Sequence, residues 1–245
     1  MQQDSWTIPP DSLSLKSHHV DIWCVSSALS ADSVKLLFPF LSNDEKQRAS
    51  RFRFPIDRDR YIVSHGSLRD ILGRYLHGQP YQSIFSTNKY GKPSLVDSEL
   101  EFNLSHSNDF TLIAIAQGRK VGVDVEHIRT DMELENIARR YFSRVEISEL
   151  MSMPSEQREA GFFNCWTRKE AYIKAQGLGL SLPLDSFDVS LTPDQPAVLR
   201  ETRPNPQEAA CWSLLSLEIH PNYAGALAVE TGTLEFRFWD FVRHS

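Results

Sequence analysis

Valine fills every second position from Val121 to Val125, with Gly122, Asp124 and Glu126 set between and after. Side chains alternate across a strand, so the spacing predicts a β-strand with valines on one face and the glycine and both carboxylates on the other. Apolar runs predict further strands at Val20–Val25, Ile84–Ser86, Leu100–Leu104 and Phe110–Ala116, and near Trp212–Glu218, Gly225–Glu230 and Leu234–Trp239. Gly118-Arg119-Lys120 reads as the turn of a hairpin between Phe110–Ala116 and Val121–Glu126.

Helical spacing gives a second set of elements. Ala31–Phe40 follows Ser30 as a cap, and Asp44–Phe54 is a very basic helix that Pro55 ends. Asp57–His77 carries Tyr61, Leu68, Ile71, Leu72 and Tyr75 on one side and closes at Gly78. Helices follow at Glu133–Tyr141, Ser143–Met151 and Gly161–Gln176, the last closed by Gly177, and a proline-bearing loop spans Thr192–Pro206. There is an internal echo. Phe40-Leu41-Ser42 leads to Glu45 and two helices, as Phe142-Ser143 leads to Glu146 and two more. The echo suggests two related halves, 1–118 and 119–245, meeting near Gly118–Lys120.

Composition narrows the class. A chain of 245 residues with 41 % hydrophobic and 24 % charged residues is an ordinary globular protein. A net charge of −6 does not imply a general grip on nucleic acid. No apolar run is long enough to span a bilayer, and the polar segment Met1–Asp11 lacks a signal core. Cys24, Cys165 and Cys211 are odd in number and far apart. They argue against a disulfide framework and a cysteine zinc site, and a reducing cytoplasm is the expected home.

The chemistry gathers on carboxylates. Asp124 and Glu126 stand roughly 7 Å apart along one strand face. Like charges at that spacing repel unless a cation lies between them, and a hard divalent ion with oxygen ligands fits. A solvated acidic edge is the alternative. Glu170 falls inside the apolar stripe of its helix, between Trp166 and Ile173. An i,i+4 pair with Lys174 accounts for the spacing but not for the inward placement. Three carboxylates flanked by Lys169 and Lys174 suit a metal-bound phosphate group. The run Lys46, Arg48, Arg51, Arg53, Arg58 and Arg60 is either a solvated face or a phosphate-binding patch. Ser105 and His106 are neighbours on a strand and point to opposite faces, so they do not form a nucleophile–base pair. They either donate hydrogen bonds to an anion or cap a turn.

These pieces resemble the 4′-phosphopantetheinyl transferases of the larger, surfactin-synthetase-activating type. The matching motifs are Tyr90-Gly91-Lys92-Pro93, Phe102-Asn103-Leu104-Ser105-His106-Ser107, Gly122-Val123-Asp124-Val125-Glu126 and Phe142-Ser143 with Glu146. The longest runs from Trp166 to Lys174 and on through Gly177 to Phe187. The resemblance implies an α+β fold of two similar halves related by a pseudo-two-fold, with the active site in the cleft between them. It implies Mg²⁺ held by Asp124, Glu126 and Glu170, with Glu170 and Lys174 catalytic. It implies coenzyme A as donor, contacted by Arg48, Arg60, Lys92, Ser105, His106, Asp124, Lys169 and Lys174. The expected acceptor is the serine of an apo acyl or peptidyl carrier protein of fatty-acid, polyketide or peptide synthesis, and the expected state is a monomer. The rival expectations are a metal-dependent phosphodiesterase and a non-catalytic coenzyme A- or carrier-binding module.

Overall fold

The computed structural model describes residues 5–10, 12–26, 31–79, 84–129 and 133–241. The first half contains β1 (His19–Ser26), α1 (Ala31–Leu37), α2 (Asn43–Ala49), α3 (Pro55–Leu76), β2 (Phe85–Thr87), β3 (Pro93–Leu95), β4 (Leu100–Ser107) and β5 (Phe110–Gln117). The second contains β6 (Val121–His127), α4 (Leu134–Tyr141), α5 (Arg144–Ser152), α6 (Ser155–Gln176), β7 (Phe187–Val189), β8 (Leu199–Thr202), β9 (Trp212–Leu217), β10 (Tyr223–Glu230) and β11 (Glu235–Asp240). The fold is α+β. One sheet has the order β11-β1-β5-β4 and another β6-β10-β9, with small pairs β2-β3 and β7-β8.

Three apolar layers hold these sheets. Trp23, Val25, Phe102, Ile113 and Ile115 of the first sheet pack with Ile71 and Leu72 of α3. On its other face Val20, Ile22, Leu112 and Ala114 meet Val121, Val123, Val125 and Leu227 of the second sheet. The second sheet turns Ala226 and Ala228 towards Phe162, Phe163 and Ala171 of α6. The order is therefore helix, sheet, sheet, helix, with the central strands buried on both faces.

That burial explains where the expected hairpin fails. Both faces of β5 are apolar, which suits a central strand, and β1 and β4 occupy its two edges as antiparallel neighbours. β6 pairs with β10 instead. Gly118, at φ 63°, turns the chain from one sheet to the other rather than closing a hairpin. The last strand crosses the division at 118 and 119, since β11 pairs in parallel with β1 of the first half.

Two helix boundaries differ from expectation for local reasons. The basic helix stops at Ala49, and Pro55 opens α3 at its first turn, where a missing N–H costs nothing. α6 begins at Ser155, a turn and a half before Gly161. The expected Ser30 cap lies outside the described residues.

The internal echo is visible in three dimensions. Ser42 and Glu45 form a capping box on α2, and Ser143 and Glu146 form another on α5. Each glutamate then reaches a cation on the following long helix. Glu45 pairs with Arg69 of α3 at 2.6 Å, and Glu146 with Lys169 of α6 at 2.8 Å.

Candidate active site

Gly122 sets the site by letting α6 come close. A Cβ there would lie 2.2 Å from the Ala171 carbonyl oxygen and 2.3 Å from the Ala175 nitrogen. Any side chain would push the helix off β6. Asp124 and Glu126 share the Gly122 face and so look towards the helix that carries Glu170 and Lys174.

The open edge of β6 is satisfied from the other half of the molecule. Asn103 Oδ1 accepts from the Val123 amide at 2.8 Å, Ser105 Oγ from Val125 at 3.4 Å, and Ser107 Oγ from His127 at 3.0 Å. The alternate positions of β4 thus form a side-chain ladder across the seam between the sheets. The same hydroxyls donate to the carboxylates, Ser105 to Asp124 Oδ1 at 2.9 Å and Ser107 to Glu126 Oε2 at 3.2 Å. The alternation of Asn103, Ser105 and Ser107 along β4 is a sequence pattern that could have pointed to this seam.

Lys174 turns to Asp124, not to its i,i+4 neighbour Glu170. Its ammonium lies 2.6 Å from Asp124 Oδ1 and 2.8 Å from Ser105 Oγ. Asp124 is 3 % exposed, and its other oxygen, Oδ2, is buried with no hydrogen-bond partner. Burial and the charge of Asp124 push the Glu126 carboxyl above its ordinary range. Burial and the charges of Asp124 and Glu126 do the same to Glu170, against the pull of Lys174. A bare carboxylate oxygen beside two destabilised carboxyls fits a hard divalent cation with oxygen ligands.

A cationic and aromatic wall adjoins this cluster. Partial burial, Lys174 and Arg60 push the His106 imidazole below its ordinary pKa. Arg60 donates to Asp109 at 2.9 Å. His65 stacks on Tyr61 with ring centres 3.9 Å apart, and Arg48 lies 5.5 Å above the same tyrosine. Ser105, Asp124 and Lys174 are thus joined directly, with Glu126 two residues along β6 and Glu170 one turn before Lys174 on α6, while Arg48 lies over Tyr61, Arg60 holds Asp109 and His106 pairs with Thr111 of β5. Sequence reading missed His65 and Tyr61, whose helical spacing gave only a packed face.

Two expected ligand contacts are placed elsewhere. Lys169 is fully buried, pairs with Glu146, and donates to the carbonyls of Leu184 at 2.7 Å and Phe187 at 2.6 Å. It ties α5 and the β7 approach to α6, and its three N–H groups are all taken inside the protein, leaving none for the ligand contact that the resemblance implies. Lys92 donates to the Val121 carbonyl at 3.2 Å and the Ala175 carbonyl at 3.0 Å. Two of its three N–H groups thus hold the β6 edge and the C-terminal turn of α6. Asn88 adds a bond to the Gly177 carbonyl at 2.8 Å.

The two halves of this site match known family models separately. Residues 29–118 match the N-terminal domain of 4′-phosphopantetheinyl transferases, and residues 120–228 match the 4′-phosphopantetheinyl transferase superfamily. The chain is 39 % identical to 4′-phosphopantetheinyl transferase HetI of Nostoc sp. over 245 residues, covering 98 % of this chain and all of that protein. The chain belongs to the 4′-phosphopantetheinyl transferases. The transferase psf-1 of Bacillus pumilus is 39 % identical over 68 % of this chain and 71 % of its own length. Sfp of Bacillus subtilis is 34 % identical over 68 % of this chain and 73 % of its own. Among the described residues of this transferase, no helix is long and apolar enough to cross a membrane.

Proposed function

We propose that this transferase moves the 4′-phosphopantetheine group of coenzyme A to the serine hydroxyl of an apo carrier protein, releasing adenosine 3′,5′-bisphosphate. The observation that carries the chemistry is Asp124 Oδ2, a buried carboxylate oxygen with no hydrogen-bond partner, on the seam between the halves. Asp124, Glu126 and Glu170 would hold Mg²⁺, which supplies charge neutralisation to the pyrophosphate when bound.

The remaining work belongs to the chain. Lys174 sits between Ser105 and Asp124, where its charge offsets that developing on the leaving phosphate. Glu170, held above the usual carboxylate range, takes the proton of the carrier serine directly or through water. The serine oxygen forms a bond to the β-phosphorus as the bond from that phosphorus to the bridging oxygen breaks. His106, Arg60 and Arg48 provide the donors and positive charge for the nucleotide end of the donor.

Mass spectrometry of an apo carrier incubated with the protein, coenzyme A and Mg²⁺ tests this reading. A gain of about 340 Da on the carrier serine is expected from the transferred group. Coenzyme A binding without that gain would reduce the protein to a binding module. Release of nucleotides from DNA or RNA, without carrier modification, would make it a phosphodiesterase.

A further inference from the structure

At the β1–β11 side of the first sheet, away from β4, His18 and His19 turn their rings towards one carboxylate. His18 Nε2 lies 3.9 Å and His19 Nε2 3.6 Å from the same atom, Glu235 Oε2. Neither separation is a hydrogen bond. Both are near the edge of a tetrahedron of nitrogen and oxygen ligands about 2.0–2.1 Å from a central ion, which is roughly 3.4 Å. One ligand atom from each of the three residues lies within 4.8 Å of the others.

The backbone fixes this arrangement. His19 opens β1 and Glu235 opens β11, and the two face each other in the parallel register. The Glu235 amide donates to the His18 carbonyl at 2.8 Å. The two rings meet edge to face with centres 4.5 Å apart, and His19 is only 6 % exposed. The neighbouring Arg237 guanidinium is taken up by Asp21, at 2.6 Å from Nε and 2.8 Å from its second nitrogen.

We propose that His18, His19 and Glu235 form a binding site for a divalent transition ion of the Zn²⁺ class. Such ions favour imidazole nitrogens, which Mg²⁺ does not, and accept a carboxylate oxygen beside them. Ligation through His19 Nε2 needs the proton on Nδ1. The Lys16 amide approaches Nδ1 at 3.3 Å, so ligation through Nε2 requires that contact to be given up. Half-exposed His18 and exposed Glu235 leave the outer coordination positions to water. The ion would fasten the returning strand β11 to β1 and is separate from the carboxylates beside α6.

The test uses metal-stripped full-length protein and Zn²⁺ in the presence of excess Mg²⁺. Equilibrium dialysis should give one bound Zn²⁺, and Tm should rise by roughly 5–10 °C at a hundredfold excess over Kd. His18→Ala and Glu235→Gln should each remove the shift and the bound ion while keeping the metal-free Tm, since both side chains reach solvent. Asp124→Ala should retain both. The proposal is overturned if wild-type protein binds no Zn²⁺, if binding survives in His18→Ala and Glu235→Gln, or if Asp124→Ala abolishes it. None of these readouts depends on transferase activity.

Discussion

Ser105 joins Asp124 across the seam of the molecule. The serine stands on β4 of the first sheet and the aspartate on β6 of the second, with Ser105 Oγ donating to Asp124 Oδ1 at 2.9 Å. The same oxygen accepts from Lys174 Nζ at 2.8 Å and from the Val125 amide at 3.4 Å. One donor and two acceptor sites are thereby all in use. This hydroxyl couples the strand carboxylate, the helix cation and the contact between the halves.

Ser105→Ala should therefore lower stability and turnover together. It removes one of the two hydrogen bonds to Asp124 Oδ1, Lys174 keeping the other, and strands the Val125 amide, a loss of about 1–3 kcal/mol for an unsatisfied buried group. Urea unfolding would read that loss, and kcat/KM with coenzyme A and a carrier should fall roughly tenfold or more. Wild-type turnover in a destabilised variant would separate the seam from the chemistry.

Lys92→Met should weaken α6 rather than one coenzyme contact. Its ammonium bonds the Ala175 carbonyl in the last turn, where a cation also complements the helix dipole. The effect on KM should then be equal for coenzyme A and dephospho-coenzyme A, with a lower Tm. A loss confined to coenzyme A would place Lys92 on the 3′-phosphate.

The elements of this fold were legible where one strong period governed them. The valine alternation gave β6 and its carboxylate face, and the paired Ser–Glu signatures at Ser42 and Ser143 gave the duplicated helix starts. What escaped was long-range. β5 and β6 are adjacent in sequence and both apolar, so nothing local shows that they join different sheets. Lys169 and Lys174 have similar sequence surroundings. Only the packing shows that Lys169 points to the buried Glu146 and Lys174 to Asp124. Pro55 is ambiguous alone, since proline ends one helix and opens another equally well.

His65 should give the folded state an acid-sensitive slope. Burial is the main cause that lowers its pKa from 6.5 to about 4, with His106 and Arg48 adding to it and Glu45 and the Tyr61 carbonyl opposing. Between those values the unfolded chain binds a proton that the folded chain does not. Stability is thus fully present above pH 6.5, declines as pH falls towards 4, and is flat below. The ring is partly exposed, so the loss is at most about 3 kcal/mol. Urea midpoints at about pH 7.5 and about pH 5 should differ less in His65→Gln than in wild type. Equal differences would show that the ring is protonated in the folded protein.

Glu170→Gln should separate metal holding from proton transfer. The side chain sits on the α6 face that looks at Asp124 and Glu126, and its carboxyl is pushed up by burial and by both of those charges. Lys174 is bonded to Asp124, so a simple i,i+4 ion pair does not account for Glu170. Glutamine keeps the size and one acceptor oxygen but takes no proton. If Glu170 acts only as a ligand, excess Mg²⁺ should restore part of kcat. As the general base it should leave kcat depressed by ~10²–10⁴ at saturating Mg²⁺, with coenzyme A binding little changed. The kcat profile should then lose its acidic limb, because the group whose deprotonation switches the reaction on is gone. Wild-type kcat at saturating Mg²⁺ would remove Glu170 from the reaction and leave Asp124 and Glu126 as the carboxylates that matter.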